Sequence, residues 1–375
     1  MRRIAPLLSL AVAVAAACNG GSRERPGDPG EAGTMEGGIG DAADVSDGSG
    51  GDASESDAGC PDGAASVDCG TALPAGALAA GQGGPDGIAA DGANVYWTNH
   101  LGGQVMKCAS GGCNGNPTVL AAAQNFPSAV AVDATNVYWT NSGTTTGDGS
   151  VMKCAIAGCN GNPTTLASAQ HYPIGIAVDG ANVYFTNLGT VTNDGQVMRC
   201  AIGGCNDQPT VFLSGQATPA GIAVDAANVY FVTNDDAGQV LSCAIAGCNA
   251  SPTALASGFD DPLAIVMSAT TLFWTNHGGG QLMSCAKGGC AGMPTALASA
   301  QASPQGIAID ATDVYWANHD SASVARCPIA GCSGAPTKVA SNQKAPTGVA
   351  VDATHVYWTD YGTVSDDGLI MSAAK

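Results

Sequence analysis

Three histidines share one phase of this sequence. His100, His277 and His319 each follow an asparagine, in Thr-Asn-His or Ala-Asn-His, and Asp360-Tyr361 stands at the corresponding place near the C-terminus. Imidazoles beside a carboxylate are the groups that hold a divalent metal or move protons near neutral pH. Asp320, next to His319, and the pair Asp235 and Asp236 in an equivalent loop add further carboxylates. Choices elsewhere are narrow, because all four Glu fall within residues 1–70 and the rest of the chain must work with Asp, His, Tyr and main chain. Neither a Gly-rich phosphate loop, a nucleophile elbow nor an HExxH stretch occurs. The same spacing also arises when a turn is duplicated with its repeat, its histidines then solvated and too far apart around a ring to share an ion. That second reading is preferred, so no metal and no cofactor is expected, and these residues are carried forward as candidates for a ligand-binding face.

The elements that position them repeat. Asp91, Asp133, Asp179, Asp225, Ser268, Asp310 and Asp352 mark one phase at spacings of 42, 46, 46, 43, 42 and 42 residues, the period of four-stranded propeller blades. Each unit reads close to P-x-G-I-A-V-D-x-x-N-V-Y-W-T-N, a variable loop, then G-x-V-M-K-C-A-I-x-G-C-N-x-x-P-T-x-L-A-S. Short runs punctuated by Gly, Asn, Asp and Pro leave no room for a helix. In the second unit the predicted strands are 130–133, 137–141, 150–155 and 164–168. They show no polar face, as expected where blades stack and bury both faces of each sheet.

All five Trp (Trp97, Trp139, Trp274, Trp316 and Trp358) fall in one dipeptide of the second strand, with Phe185 and Phe231 in the other two units. Aromatics repeated so regularly fill the space between blades. Asp-x-x-Asn between the first two strands predicts a side-chain-capped turn on the face opposite the variable loops. The seventh unit stops after its third strand, and ALPAGALAA at 72–80 resembles the missing outer strand. The expected fold is therefore all-β: a seven-bladed β-propeller over residues 71–375, closed by an N-terminal strand.

Of fifteen cysteines, twelve form Cys-x4-Cys pairs at the turn before the outer strand: Cys108 with Cys113, Cys154 with Cys159, Cys200 with Cys205, Cys243 with Cys248, Cys285 with Cys290, and Cys327 with Cys332. Local disulfides suit an exported chain, whereas zinc needs two pairs per ion and a ring holds the pairs apart. Cys60 and Cys69 close a separate loop at 60–70, which leaves Cys18. Arg2-Arg3, an apolar run from 4 to 17 and small residues before Cys18 have the layout of a secretory signal over 1–17. Residues 18–59 carry almost no large apolar side chains and read as a disordered acidic Gly/Ala/Ser/Asp tether. The net charge of −19 excludes a nucleic-acid partner.

Ala15-Ala16-Ala17-Cys18 resembles the bacterial lipoprotein signal, in which cleavage precedes a cysteine that then carries lipid. The resemblance implies lipidation of Cys18, membrane attachment through that lipid and a place in the cell envelope, at the outer membrane or cell surface. Tyr357-Trp358-Thr359-Asp360, with YWTN at 96–99 and 138–141, resembles the YWTD propellers. The phrase P-x-G-I-A is similar to NHL repeats and to virginiamycin B lyase, a seven-bladed propeller. These resemblances imply fold and leave activity open. The expected function is a non-catalytic binding or scaffolding module, monomeric, with a protein or envelope polymer as ligand. The alternative is a metal-assisted lactone hydrolase or a virginiamycin-type lyase on the same ring. The absence of Glu from 71–375 weighs against it, since lactonases of the regucalcin type use a Glu ligand.

Overall fold

The computed structural model describes residues 73–375, except 192, 236, 333, 334 and 365. The signal segment, Cys18, the tether and the Cys60–Cys69 loop lie outside the described residues, as does Asp236. Seven sheets of four antiparallel strands follow one another along the chain. In blade 2 the strands are Pro127–Val132, Asn136–Asn141, Gly149–Ala155 and Thr164–Gln170. They match the four predicted runs with extra residues at strand ends, mainly the Pro-Ser-Ala that opens the inner strand, while Asp133, predicted at the end of that strand, falls in the turn its side chain caps. The inner strands pack in a circle, each against those of the two neighbouring blades, and blade 7 against blade 1. All 28 strands of the described chain belong to this ring, a seven-bladed β-propeller.

Closure is as the truncated seventh unit requires. Ala77–Gln82 pairs antiparallel with Gly368–Ala374, Ala77 opposite Met371 and Gln82 opposite Gly368, and so completes blade 7 from the other end of the chain. The joint removes the open edge that a three-stranded blade would expose.

The YWT phrase does more than fill space. Trp97, Trp139, Trp274 and Trp316 are fully buried between blades, together with Tyr96, Tyr138 and Phe185, the packing expected of such aromatics. The threonine that follows is also fully buried and joins neighbouring inner strands. Thr98 Oγ1 accepts the Gly87 amide hydrogen at 3.0 Å and donates to the Ser128 carbonyl of the next blade at 2.5 Å. Thr140, Thr186, Thr275 and Thr359 repeat this, reaching the carbonyls of Ile174, Ala220, Gln305 and Asp86. Val232 and Ala317 hold the place in blades 4 and 6 and cannot form it. The inner strands approach closely enough that a Cβ on Gly348 would lie 2.5 Å from the Asp86 carbonyl oxygen. Glycine is needed there for space.

Four of the five indoles find their acceptor at or just beyond the preceding outer strand. Trp97 Nε1 and Asn99 Nδ2 both donate to Gln82 Oε1 at 3.0 Å, and Trp139 with Asn141 do the same to Gln124. Blade 5 departs: Phe259 replaces the glutamine, packs edge-on against Trp274 at 5.2 Å, and leaves Trp274 Nε1 without a partner.

The six Cys-x4-Cys disulfides are all formed, each across the turn between third and outer strands, with Cα separations of 5.3–5.5 Å. No helix among the described residues is long and apolar enough to cross a membrane.

Candidate functional site

The ring has two faces. Pro127 of an inner strand pairs with Asn141 at the end of the second, so the second-to-third loops and the loops entering each blade share one face. The hairpins between inner and second strands form the other.

On the hairpin face, Asp-x-x-Asn caps its own turn. Asp133 Oδ1 accepts the amide hydrogens of Thr135 and Asn136 at 2.7 Å, as this turn chemistry predicts. The other oxygen was not foreseen in a role: Asp133 Oδ2 accepts the Tyr138 hydroxyl at 2.7 Å. The same bond links Asp91 with Tyr96 and Asp352 with Tyr357. A five-residue spacing from Asp to the buried Tyr was its only trace in the sequence. Partial burial pushes the Asp133 carboxyl up, but the Thr135 amide, Tyr138 hydroxyl and Asn136 amide outweigh it and hold the group below the usual range. Asp91 and Asp352 are held low in the same manner, and Asp225 and Asp310, against the same burial, chiefly by Lys287 and Lys375 together with the turn amides. Burial and the adjacent carboxylate raise the tyrosines, so the bond keeps Tyr as donor and Asp as acceptor.

These hairpins surround a funnel on the propeller axis, a cavity of about 1410 Å³. Asp91, Asp133, Asp179, Asp310 and Asp352 stand around it, above walls that include Val132, Val178, Met267, Ile309 and Val351. Lys375 is the one basic residue in its lining, and it is paired with Asp310.

On the opposite face, the histidines go to separate partners. His100 Nδ1 lies 3.2 Å from the Pro127 carbonyl, with its ring edge-on to Phe126 at 5.0 Å. Burial lowers the His100 pKa, and the hydrogen bond to Pro127 only partly offsets it. His277 Nδ1 meets Asp261 Oδ2 at 3.1 Å, and His319 Nδ1 meets Asp320 Oδ1 at 2.9 Å. Asp320 also accepts from Ser303 Oγ, which with His319 and the nearby His277 holds its carboxyl low. The structure thus brings His277, His319 and Asp320 into one neighbourhood and leaves His100 apart. No three His, Cys, Asp or Glu side chains converge to hold a metal among the described residues.

Asp360, placed by sequence at a loop end, closes a strand and is 1% exposed. It occupies the site of Asn99 and Asn141, but cannot donate to a glutamine when ionised. Burial pushes its pKa up to about 6, against the Lys344 amide hydrogen bond and the Lys344 charge. Tyr361 is half-buried, its amide bonded to the Ala345 carbonyl. Asp235 is half-buried, accepts Thr233 Oγ1 at 3.3 Å and takes the Asp261 amide on its carbonyl.

One buried carboxyl lay outside the expected set. Asp86 follows the inner-strand proline of blade 1, is 5% exposed, and accepts from Ser128 Oγ at 3.0 Å. Burial raises its pKa to about 8, with only Ser128 opposing. Its place in P-x-G-I-A is filled by Ser, Ile, Ala, Leu, Gln and Thr in the other blades, all of them buried.

Neither a protein-family model nor a curated protein matches this sequence. Among solved structures, a streptogramin B lyase superposes with a TM-score of 0.62 at 13% identity, covering 80% of this chain and 96% of the lyase. Virginiamycin B lyase from Staphylococcus aureus gives 0.60 at 15%, covering 77% and 94%. The computationally designed protein Ika8 gives 0.55 at 14%, covering 80% and 98%. At such identities the likeness establishes the propeller fold, which an enzyme and a designed scaffold share.

Proposed function

We propose that this chain is an exported lipoprotein, anchored in the bacterial envelope through Cys18, whose propeller is a non-catalytic binding module taking its ligand at the axial funnel. The observation that carries the reading is the funnel itself: a cavity of about 1410 Å³ walled by hairpins of most blades, with ionised carboxylates above apolar side chains. Concave sites with an apolar floor and a few placed polar groups are where proteins take ligands. Six formed disulfides support an oxidising compartment. The separate partners of His100, His277 and His319 give the lactonase or lyase alternative no converged set of groups.

Hydrogen exchange of the mature full-length chain, with and without solubilised envelope material, tests the site. Protection of hairpins 91–94, 133–136 and 352–355 supports the funnel. Protection confined to the second-to-third loops overturns it. Mass spectrometry of the membrane-extracted chain is expected to show a lipidated Cys18 at its N-terminus; an unmodified N-terminus elsewhere overturns the anchor.

A further inference from the structure

The blades treat cations unequally around the funnel. In blade 4, Asp225 Oδ2 accepts both the Tyr230 hydroxyl at 3.3 Å and Lys287 Nζ at 2.8 Å, and the ammonium lies 5.7 Å from the Tyr230 ring centroid. Blade 6 repeats the arrangement. Asp310 Oδ2 accepts the Tyr315 hydroxyl at 3.0 Å and Lys375 Nζ at 2.6 Å, with the ammonium 5.4 Å from the ring. Both lysines hold one position, the first residue after a third strand, and reach back to the preceding blade. A carboxylate with an aromatic face beside it is a receptor for an ammonium ion, and this protein fills two such receptors from its own chain.

Blades 1, 2 and 3, and blade 6 in addition to its lysine, place a base opposite the tyrosine: Lys107 by Tyr96, Lys153 by Tyr138, Arg199 by Tyr184 and Arg326 by Tyr315. The first three donate to the carbonyls of Ile156, Ile202 and Ile245, not to the aspartates. Blade 5 has no carboxylate, with Ser268 at the turn and Phe273 in the strand. Blade 7 is the exception. Tyr357 donates to Asp352 Oδ2 at 2.7 Å, yet the position opposite Tyr357 is Ser372, and the position equivalent to Lys287 and Lys375 is Ser110. Both serine hydroxyls donate to main-chain carbonyls, Ser110 to Gly92 and Ser372 to Gly76. Asp352, like Asp91 and Asp133, forms no ion pair with a lysine or arginine among the described residues, and its tyrosine alone has no lysine or arginine placed beside it. His355, its ring 6.0 Å from Tyr357, is the basic side chain beside the pair.

We propose that Asp352 and Tyr357 form the receptor for a lysine side chain of a partner peptide entering the funnel. Asp352 lines the cavity, where Val351 and Ile309 offer apolar wall to an aliphatic stem. The carboxylates around the cavity outnumber its single lysine, which favours a cationic visitor. This assignment rests on the funnel being the binding mouth.

The test is a titration of the mature full-length protein with Nα-acetyl-lysine methylamide at low salt, followed by amide chemical shifts, with the norleucine analogue as uncharged control. Shifts centred on 352–355 at millimolar ligand, absent with norleucine, are expected. Asp352→Asn retains an oxygen to cap the turn and weakens binding by at least about tenfold, the scale of one ion pair with its aromatic contact. Ser110→Lys places a lysine as in blades 4 and 6, occupies the receptor in cis and abolishes the response. Circular dichroism confirms that both variants fold. Unchanged affinity in both variants, with shifts spread over other funnel hairpins, overturns the Asp352 receptor and leaves the funnel standing. No shifts on any funnel hairpin overturns the lysine receptor, while the funnel itself is decided by hydrogen exchange with envelope material.

Discussion

Thr359 Oγ1 donates to the main-chain carbonyl of Asp86 at 2.8 Å, across the junction where the end of the ring meets its beginning. The same oxygen accepts the Gly348 amide hydrogen at 2.7 Å, so one hydroxyl serves two main-chain groups at a site without water access. Thr359→Val keeps shape and removes both bonds, together with the 2.8 Å contact to Thr347 Oγ1. A buried main-chain group left unpaired costs about 1–3 kcal/mol, so a loss of about 2–6 kcal/mol is expected for the variant. Urea denaturation is the measurement. Blade 4 carries Val232 at this place, and a midpoint for Thr359→Val within error of the parent would show that blade 7 tolerates the change equally.

The six disulfides each close a turn of only four intervening residues. Chain-entropy arguments give about 2 kcal/mol for so short a loop, exerted locally on each rim. Reduction by a mild thiol is expected to lower the thermal midpoint while the ring stays folded at room temperature, because the buried Trp and Tyr layers between blades do not depend on the rim. Near-ultraviolet circular dichroism reports those layers directly. Its collapse on reduction at room temperature would mean that the bridges hold the ring itself.

The ring was legible in the sequence because a propeller blade cannot bury its faces alone, so each of the seven units repeats the same apolar phases. The closing strand at 72–80 was legible for the same reason: one outer strand was missing from the count, and the structure supplies Ala77–Gln82. What the period concealed were the polar contacts made between repeats. Thr98 reads as a β-former in a YWTN phrase, and nothing local shows that its acceptor is the Ser128 carbonyl thirty residues on. Gln82 and Trp97 belong to different sheets, and Tyr138 lies in a strand while Asp133 lies in the turn before it. The candidate face suffered the opposite problem. His100, His277 and His319 share a phase, but a shared phase places residues on different blades, and each found its own partner: the Pro127 carbonyl of the next blade, Asp261 of the loop entering the blade, and the adjacent Asp320.

Those separate pairings determine what their loss would do. His277 and His319 each make one partly exposed contact with a carboxylate, and such pairs contribute about 0–1 kcal/mol. The double variant His277→Ala with His319→Ala is expected to fold and to unfold within about 1 kcal/mol of the parent. Elemental analysis of both proteins, purified without chelator, is expected to find no stoichiometric transition metal in either. A metal present in the parent and lost in the double variant would overturn this expectation and direct assays toward lactones and related esters.

Asp360 makes the stability of the ring depend on pH in a direction opposite to that of a salt-bridged carboxylate. Its folded-state pKa is raised from 3.8 to about 6 by burial, so folding favours the neutral form. Below pH 3.8 the group is protonated in both states and imposes no penalty. Between 3.8 and about 6 the unfolded chain ionises first, and the folded state loses stability progressively as pH rises. Above 6 the full penalty holds, at most about 3 kcal/mol for a displacement of that size. Asp86, raised to about 8, extends the same trend upward. Asp360→Asn restores the amide present at Asn99 and Asn141, which donates to the glutamine of the preceding outer strand. This variant is therefore expected to be more stable than the parent at pH 7, by a margin that shrinks toward pH 4, and to show a shallower decline between pH 4.5 and 6.5, the rest of which belongs to Asp86. Asp86→Asn is expected to make the decline below pH 6 shallower as well, because its unfolded carboxyl also ionises from pH 3.8, and to remove the part between pH 6 and 8. Urea midpoints measured across pH 4.5–8.5 separate the two residues. Parallel curves for the parent and Asp360→Asn would show that the carboxyl at 360 is solvated in the folded ring.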